Sequence, residues 1–276
     1  MTFPRLWLAC VALSLSLPLP AAQSERNGHV IVSVIDQSGN PLAGLRADDF
    51  SIAVDGHGAD IAAVSSAPEP LTVAVIFDQS ASQISLVGQR LAKNDVRDAL
   101  MGVLRDGDSL RLGSVSGTVT IGAPSGVSKR EIESALDRLP KPVDYGASPI
   151  WDAVEAAAQS LATAPGRRLV VMATDGRGTG NRLSAEDAAR TAAMNWTALS
   201  FVDEGFTSVL PQDRAGNIAV RAAPVLEWAS RMTGGRYAQD PSTRSLAVRS
   251  TMHTEMARAI DAERAHYTLT IPVPDD

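Results

Sequence analysis

The sequence predicts an α/β fold: a doubly wound, mostly parallel sheet with helices on both faces. From residue 71 onwards, apolar β-rich segments alternate with segments of helical period. Two of the apolar segments, residues 71–77 and 169–173, are nearly continuous, as in central parallel strands that are buried on both sides. With 276 residues and 45% hydrophobic content, the chain can bury one large core, or one large and one small.

The first residues predict a secretory signal peptide over residues 1–23. Arg5 precedes an apolar stretch that ends at Pro18 and Pro20, and small residues follow. A membrane anchor needs about 18 uninterrupted apolar residues, and the prolines cut this stretch short. Cys10, the sole cysteine, lies near the start of the stretch, whereas lipid attachment would require it at the end. We therefore expect export to the periplasm or the medium, with no membrane span in the mature chain and no disulfide.

Residues 28–68 predict a small β unit ahead of the main domain. HVIVSVID, from His29, alternates apolar and polar residues and is followed by the turn sequence SGNPLAG. FSIAVDGHGADIAAV, from Phe50, predicts two strands joined by a hairpin at its Asp-Gly pair. Pro68 and Pro70 mark the boundary with the next domain.

We assign residues 70–245 to the main α/β domain. Its strands are expected at residues 71–77, 110–115, 169–173 and 197–202, and its helices at residues 86–104, 128–139, 149–162 and 184–196. TVTIGAP, from Thr118, alternates in the manner of an edge strand. Ser128 and Ser184 are each followed three residues later by an acid, the pattern of a capping box.

The last part of the chain, residues 246–276, is assigned to a C-terminal helix and strand. The helical pattern begins at about residue 243 and continues to the strand sequence HYTLTIPVP. We expect this strand to pair with the N-terminal β unit, because it falls outside the rhythm of the parallel sheet.

Oxygen-bearing side chains follow two of the apolar strands. Asp78, Ser80 and Ser82 come directly after residues 71–77, and Asp175 follows VVMAT. Ligands of open parallel sheets bind outside the carboxyl ends of the strands. Two neighbouring carboxylates repel each other unless a cation lies between them, and carboxylate and hydroxyl ligands suit Mg²⁺ or Mn²⁺. The alternative is that Asp78 and Ser80 simply cap the following helix.

Three motifs resemble the von Willebrand factor type A domain and its metal-ion-dependent adhesion site. DQSAS fits the family's D-x-S-x-S, GASPIWDA is similar to its G-x-T-x-L-x-D-A, and ATDG to its T-D-G. The resemblance implies a Rossmann-like fold and a ligand set of Asp78, Ser80, Ser82, Ser148 and Asp175. Ser148 stands where the family usually has Thr, so it keeps the hydroxyl but lacks the methyl group that stiffens the rotamer. The segment GNPLAGLRADDF is similar to one in exported bacterial relatives of this family.

The resemblance also implies a function in adhesion or assembly. In the family, an acidic side chain of a protein partner completes the metal shell. We expect the rim around the site to include Gln79, Tyr145 and Arg177 as partner contacts, and a solvated loop is the alternative for the basic residue. A metal-free scaffold with the same fold remains open.

Other functional classes are disfavoured by the sequence. An aspartyl-phosphate phosphotransferase needs a second acid where Ser80 stands, and GSVSG places Val115 where a hydrolase has its nucleophilic serine. No phosphate-binding loop or dinucleotide fingerprint is found, so we expect no enzyme activity. The net charge of -6 and the scattered basic residues argue against nucleic acid. The four histidines are dispersed, which argues against zinc held by them.

Overall fold

The computed structural model describes residues 27–34, 36, 41–66, 69–79, 93–141, 146–203, 223–239 and 248–273. The strands in these ranges are β1 (Asn27–Ser33), β2 (Ile52–Val54), β3 (His57–Ala59), β4 (Ala63–Ser65), β5 (Leu71–Asp78), β6 (Ser109–Ser116), β7 (Thr118–Ile121), β8 (Arg167–Thr174), β9 (Thr197–Asp203), β10 (Tyr237–Gln239) and β11 (His266–Pro272). The α-helices are α1 (Lys93–Val103), α2 (Lys129–Asp137), α3 (Ile150–Leu161), α4 (Ala185–Met194), α5 (Ala223–Thr233) and α6 (Val248–Arg264).

The main sheet has six strands in the order β10-β9-β8-β5-β6-β7. All neighbouring pairs are parallel except β6 with β7, which is antiparallel, so the predicted edge strand from Thr118 is confirmed. Every residue of β5 is buried, and so is every residue of β8 except Arg168, as their nearly continuous apolar sequences predict. Every residue of β9 is buried as well. The sequence therefore predicts both the fold class and its central strands correctly.

Helices cover both faces of this sheet. Alternate residues of β5 point to opposite faces: Val75 packs in the core under α1, α2 and α6, and Ile76 packs in the core under α3, α4 and α5. The N-terminal boundaries of α2 and α4 follow from capping boxes at Ser128 and Ser184, as predicted. Within the described residues, none of the helices has both the length and the apolar character that a membrane span requires.

A second, three-stranded sheet joins the two ends of the described chain. β11 lies between β1 and β4 and is antiparallel to both, which confirms that the C-terminal strand pairs with the N-terminal unit. Tyr267 of β11 is buried, its hydroxyl donates to Leu42 O at 2.8 Å, and its ring packs edge-on against Phe50 with centroids 5.4 Å apart. The predicted Asp-Gly hairpin forms between β2 and β3, which make a separate two-stranded sheet.

Helix α6 packs on the main sheet. Its buried residues Met252, Met256 and Ile260 belong to the same core as α1, α2 and β5. The C-terminal segment assigned to residues 246–276 is thus divided, since its helix packs on the main domain and its strand pairs with the small sheet. The limits of the domains otherwise stay predictions. Sequence analysis assigned no element to residues 223–239, where α5 and β10 lie.

A buried ion pair ties α6 to the amino edge of the sheet. Asp108, just before β6, accepts hydrogen bonds from the Arg264 guanidinium and from the backbone N–H groups of Leu71 and Arg105. Burial alone raises the pKa of Asp108, but these hydrogen bonds outweigh it and hold the pKa below its usual value. The ionised carboxylate therefore links three segments of the main domain.

We predict that Asp108→Ala lowers the free energy of unfolding by about 3 kcal/mol, because it leaves a buried guanidinium and two backbone N–H groups without their acceptor. Asp106→Ala, at an exposed position two residues away, is the matched control and should change stability by less than about 0.5 kcal/mol. Urea unfolding checks both values, and equal effects of the two substitutions would contradict this role.

The same ion pair predicts a pH dependence. Because the folded-state pKa of Asp108 is lowered, its stabilising contribution is present above the unfolded value and is lost as the pH falls through the folded value. Unfolding free energies measured from about pH 6 down to about pH 2 should therefore fall less steeply in Asp108→Ala than in the wild type. Equal slopes for the two proteins would show that another carboxylate controls the loss of stability at low pH.

Candidate metal centre

The candidate site lies at the topological switch point of the main sheet. The chain leaves β5 towards β6 on one side and returns through β8 towards β9 on the other, so the carboxyl ends of β5 and β8 flank a crevice. Phe77 pairs with Ala173, which places Asp78 level with Thr174 and one residue short of Asp175. The parallel register therefore brings the two predicted acids to one edge.

Asp78 is the centre of a buried hydrogen-bond cluster. The Ser148 hydroxyl lies 3.2 Å from both carboxylate oxygens, and the Thr174 hydroxyl donates to Oδ2 at 2.7 Å. The Thr174 oxygen in turn accepts the N–H of Gly176 at 3.0 Å. Asp78, Ser148 and Thr174 expose 7%, 3% and 0% of their surface, so water does not screen this cluster.

The two carboxylate oxygens of Asp175 have different surroundings. Its Oδ1 accepts the N–H of Arg177 at 2.9 Å, whereas its buried Oδ2 has no hydrogen-bond partner among the described residues. A buried carboxylate oxygen without a donor costs free energy unless another group compensates it. A cation bound at this oxygen would supply that compensation, so the donor set fits a metal ion.

Ser148 is held in place by the loop that follows β8. Its backbone N–H donates to the Thr179 hydroxyl at 2.9 Å, and Thr179 N–H donates back to Ser148 O at 2.9 Å. On the other side, Gly117 N–H donates to Ala147 O at 2.9 Å. Reciprocal bonds of this kind fix the Ser148 segment relative to both neighbouring strand ends.

Asp152 fastens the same loop to helix α3. Its Oδ1 accepts the backbone N–H groups of Arg182 and Leu183 at 2.9 and 3.0 Å, and its Oδ2 lies 3.1 Å from the Arg182 Nε. Burial raises the pKa of Asp152, but the bonds from Leu183 and Arg182 outweigh it and lower the pKa below its usual value. Asn181 adds a cap, because its Oδ1 accepts Trp151 N–H at 2.8 Å. Asp152 is thus a positioning residue for the loop.

Two glycines permit this close packing. Gly180 has a φ of 70°, and a Cβ there would lie 2.6 Å from the Ala147 Cβ. A Cβ at Gly178 would lie 2.9 Å from Ile150 at the start of α3. Larger residues would push the loop away from Ser148 and loosen the site.

Apart from Gln79, the predicted site residues fall into three groups. The structure brings Asp78 and Ser148 into contact and places Asp175 at the neighbouring strand end. Ser80, Ser82 and Tyr145 lie outside the described residues. Arg177 is half-buried.

Gln79 does not lie on an exposed rim as the sequence analysis expected. Only 9% of it is exposed, because its N–H continues the pairing with β6 by donating to Val115 O at 2.8 Å. Its side-chain Oε1 is buried without a hydrogen-bond partner among the described residues. A partner protein would therefore have to enter the crevice to contact the side chain of Gln79.

Sequence reasoning missed Thr174 and Thr179. Thr174 belongs to the ATDG motif, and the signal that could have identified it is its position level with Asp78 in adjacent strands. Thr179 had no signal of its own in the sequence. Within the described ranges, no group of three or more His, Cys, Asp or Glu side chains converges on a metal position. The candidate centre consists instead of two carboxylates and hydroxyl groups, which are hard oxygen donors.

No protein-family model matches the sequence, and a search of curated proteins gives no significant match. Solved structures do match. The von Willebrand factor type A structure from Catenulispora acidiphila has a TM-score of 0.51 at 15% identity, over 85% of this chain and 50% of that chain. Proximal thread matrix protein 1 from the mussel byssus, with a zinc-occupied MIDAS motif, has a TM-score of 0.51 at 17% identity, over 76% and 49%. The pilus adhesin SpaC from Lactobacillus rhamnosus GG, in its open conformation, has a TM-score of 0.52 at 11% identity, over 72% and 30%. These likenesses establish the fold.

We predict that Thr174→Val destabilises the protein by about 1–3 kcal/mol, because Val keeps the shape but removes a donor to Asp78 and an acceptor for Gly176. Thr174→Ser is the matched control, since it keeps the hydroxyl and should lose only about 0.8 kcal/mol for one methyl group. Urea unfolding of both variants checks this. A Ser variant that is less stable than the Val variant would assign Thr174 to packing alone.

Proposed function

We propose that this chain, whose main domain has the von Willebrand factor type A fold, is an exported, metal-dependent protein-binding module for adhesion or assembly. Asp78, Ser148 and Asp175, with Ser80 and Ser82, would hold one divalent cation at the carboxyl edge of the sheet. When bound, the cation supplies a positive charge that an acidic group of a partner protein recognises.

The observation that carries this proposal is the buried Oδ2 of Asp175, which has no hydrogen-bond partner among the described residues. A second carboxylate, Asp78, stands at the adjacent strand end, and hydroxyl donors already surround it. Two buried acids this close in the fold repel each other and lose their hydration, and a divalent cation offsets both costs. In a metal-free scaffold, no described residue would compensate the cost at Asp175 Oδ2.

The donor types support Mg²⁺ or Mn²⁺. Carboxylate and hydroxyl oxygens suit these hard cations, and Mg²⁺ keeps a near-octahedral shell of six ligands. Five side chains would leave one position for a partner. The zinc-occupied MIDAS motif of the mussel protein supports a divalent-metal site at this position of the fold.

The loops around the crevice support binding rather than catalysis. Arg177 lies two residues after Asp175, and its positive charge favours an acidic ligand. A specific complex would bury about 1,200–2,000 Å² around the crevice. The predicted signal peptide supports export, and the lack of a second acid two residues after Asp78 disfavours phosphotransfer.

Titration calorimetry with Mg²⁺ and Mn²⁺ tests the proposal. We expect about one ion per wild-type chain, and a loss of at least tenfold in affinity for Asp78→Ala, Ser148→Ala and Asp175→Asn, because each substitution removes a ligand. Asp203→Asn is the matched control: Asp203 is also a buried acid at this edge, but at the end of β9, where it accepts the Tyr237 hydroxyl at 2.8 Å.

Circular dichroism must show that each variant is folded. A folded wild type that binds neither metal would favour the metal-free scaffold. Equal loss of affinity in Asp203→Asn would mean that the net charge of the edge, not the proposed ligand set, attracts the ion. If the ion binds, capture of partner proteins with and without a chelator then tests whether partner binding requires the metal.

A further inference from the structure

An exposed apolar surface lies away from the candidate metal centre. Of the ten large apolar side chains that are exposed among the described residues, five belong to two short segments at the end of α4 and along α5: Met194, Trp196, Val225, Trp228 and Met232. Their exposed fractions range from 38% for Trp228 to 75% for Met194. Concentrated apolar exposure of this kind marks an interaction surface.

Helix α5 carries apolar residues on two adjacent faces. Leu226 and Ala229 are fully buried in the core with α3 and α4. Val225, Trp228 and Met232 are spaced by three and four residues and therefore form one stripe on the outer face. Burial against the sheet explains why Leu226 and Ala229 are apolar. No contact within the described structure explains why the outer stripe is apolar.

Trp196 extends the exposed apolar surface from α5 to the end of α4. It has a φ of 52°, in the left-handed region that bulky residues rarely adopt, and 53% of it is exposed. Trp196 and Met232 line one cavity of about 720 Å³, together with Glu227 and Arg231. Trp196 follows the C-cap residue of α4, where a residue in the left-handed conformation commonly ends a helix, and this turn holds its indole beside the groove.

The charges beside the stripe indicate what covers it. Glu227 pairs with Arg231 one turn later at 2.6 Å, and on α4 Glu186 pairs with Arg190 at 3.0 Å. Both helices thus carry the acid towards the N-terminus and the base towards the C-terminus. When two copies of α5 pack antiparallel about a two-fold axis near Trp228, Glu227 of each copy faces Arg231 of the other, and Val225 faces Met232. The surface is therefore complementary to itself in both charge and apolar pattern.

We infer that the outer face of α5, with Met194 and Trp196, is the interface of a symmetric homodimer. Tryptophan, methionine and arginine are the residue types enriched in such interfaces. The C-terminal end of α5 leads into β10 at the amino edge of the sheet, opposite the edge that carries Asp78 and Asp175. Dimerisation in this way leaves both candidate metal centres accessible, so one dimer presents two of them and gains avidity for a multivalent partner.

Sedimentation equilibrium of the purified chain tests the inference over about 1–100 μM. We expect the wild type to sediment with twice the mass of one chain at the upper concentrations, and Trp228→Glu and Met232→Glu to raise the dissociation constant at least tenfold. Met101→Glu is the matched control, because Met101 is 44% exposed on α1 in a different part of the surface. It should dimerise as the wild type does.

A charge exchange tests the two-fold arrangement itself. Glu227→Arg places like charges opposite each other and should weaken the dimer, whereas adding Arg231→Glu restores opposite charges and should recover most of the affinity. Each variant is checked for folding by circular dichroism.

The inference would be overturned by a wild type that stays monomeric over the whole range, by a Met101→Glu variant that dissociates as Trp228→Glu does, or by a double exchange that recovers nothing. Dimerisation that disappears with a chelator or in Asp78→Ala would show assembly through the metal centre and would also overturn it. The proposed metal-dependent function does not depend on any of these outcomes.

Discussion

The parallel pairing of β5 with β8 is the constraint from which the rest of the structure follows. Both strands are apolar along most of their length and are covered by helices on both faces, so their polar residues appear only where the strands end. The register then places Asp78 and Asp175 at one edge, at the point where the strand order reverses. The same packing that excludes water from the sheet also excludes it from these carboxylates, and this exclusion is what makes a bound cation favourable.

The loops around the crevice contribute rigidity to this arrangement. Asp152 and Asn181 fasten the loop after β8 to the first turn of α3, and Thr179 exchanges two hydrogen bonds with the backbone of Ser148, one through its hydroxyl and one through its N–H. None of these residues needs to touch the ion. They keep the Ser148 hydroxyl near Asp78, and oxygen ligands that are held in place in advance lose less entropy when a metal binds.

Much of the fold could be predicted from the sequence, because continuous apolar strands and capping boxes are local signals. The paired acids of the site were also visible, since each directly follows such a strand. Three features could not be predicted from such local signals. Thr174 acts through the register between two strands, and Gln79 is buried because its backbone continues to pair with β6. Helix α5 was missed because Val225, Trp228 and Met232 on its outer face obscure the helical contrast between apolar and polar faces.

The two surfaces of the main domain have different physical characters: a polar crevice at the carboxyl edge and an apolar stripe along α5. The proposed metal-dependent function depends on the crevice. Its most direct test is a crystal structure of the chain grown with Mn²⁺, with diffraction data collected at the manganese absorption edge. We expect one anomalous peak that contacts the side chains of Asp78 and Ser148 and lies next to the Oδ2 atom of Asp175. A well-ordered crevice without a peak, or a peak held by other residues, would contradict the account.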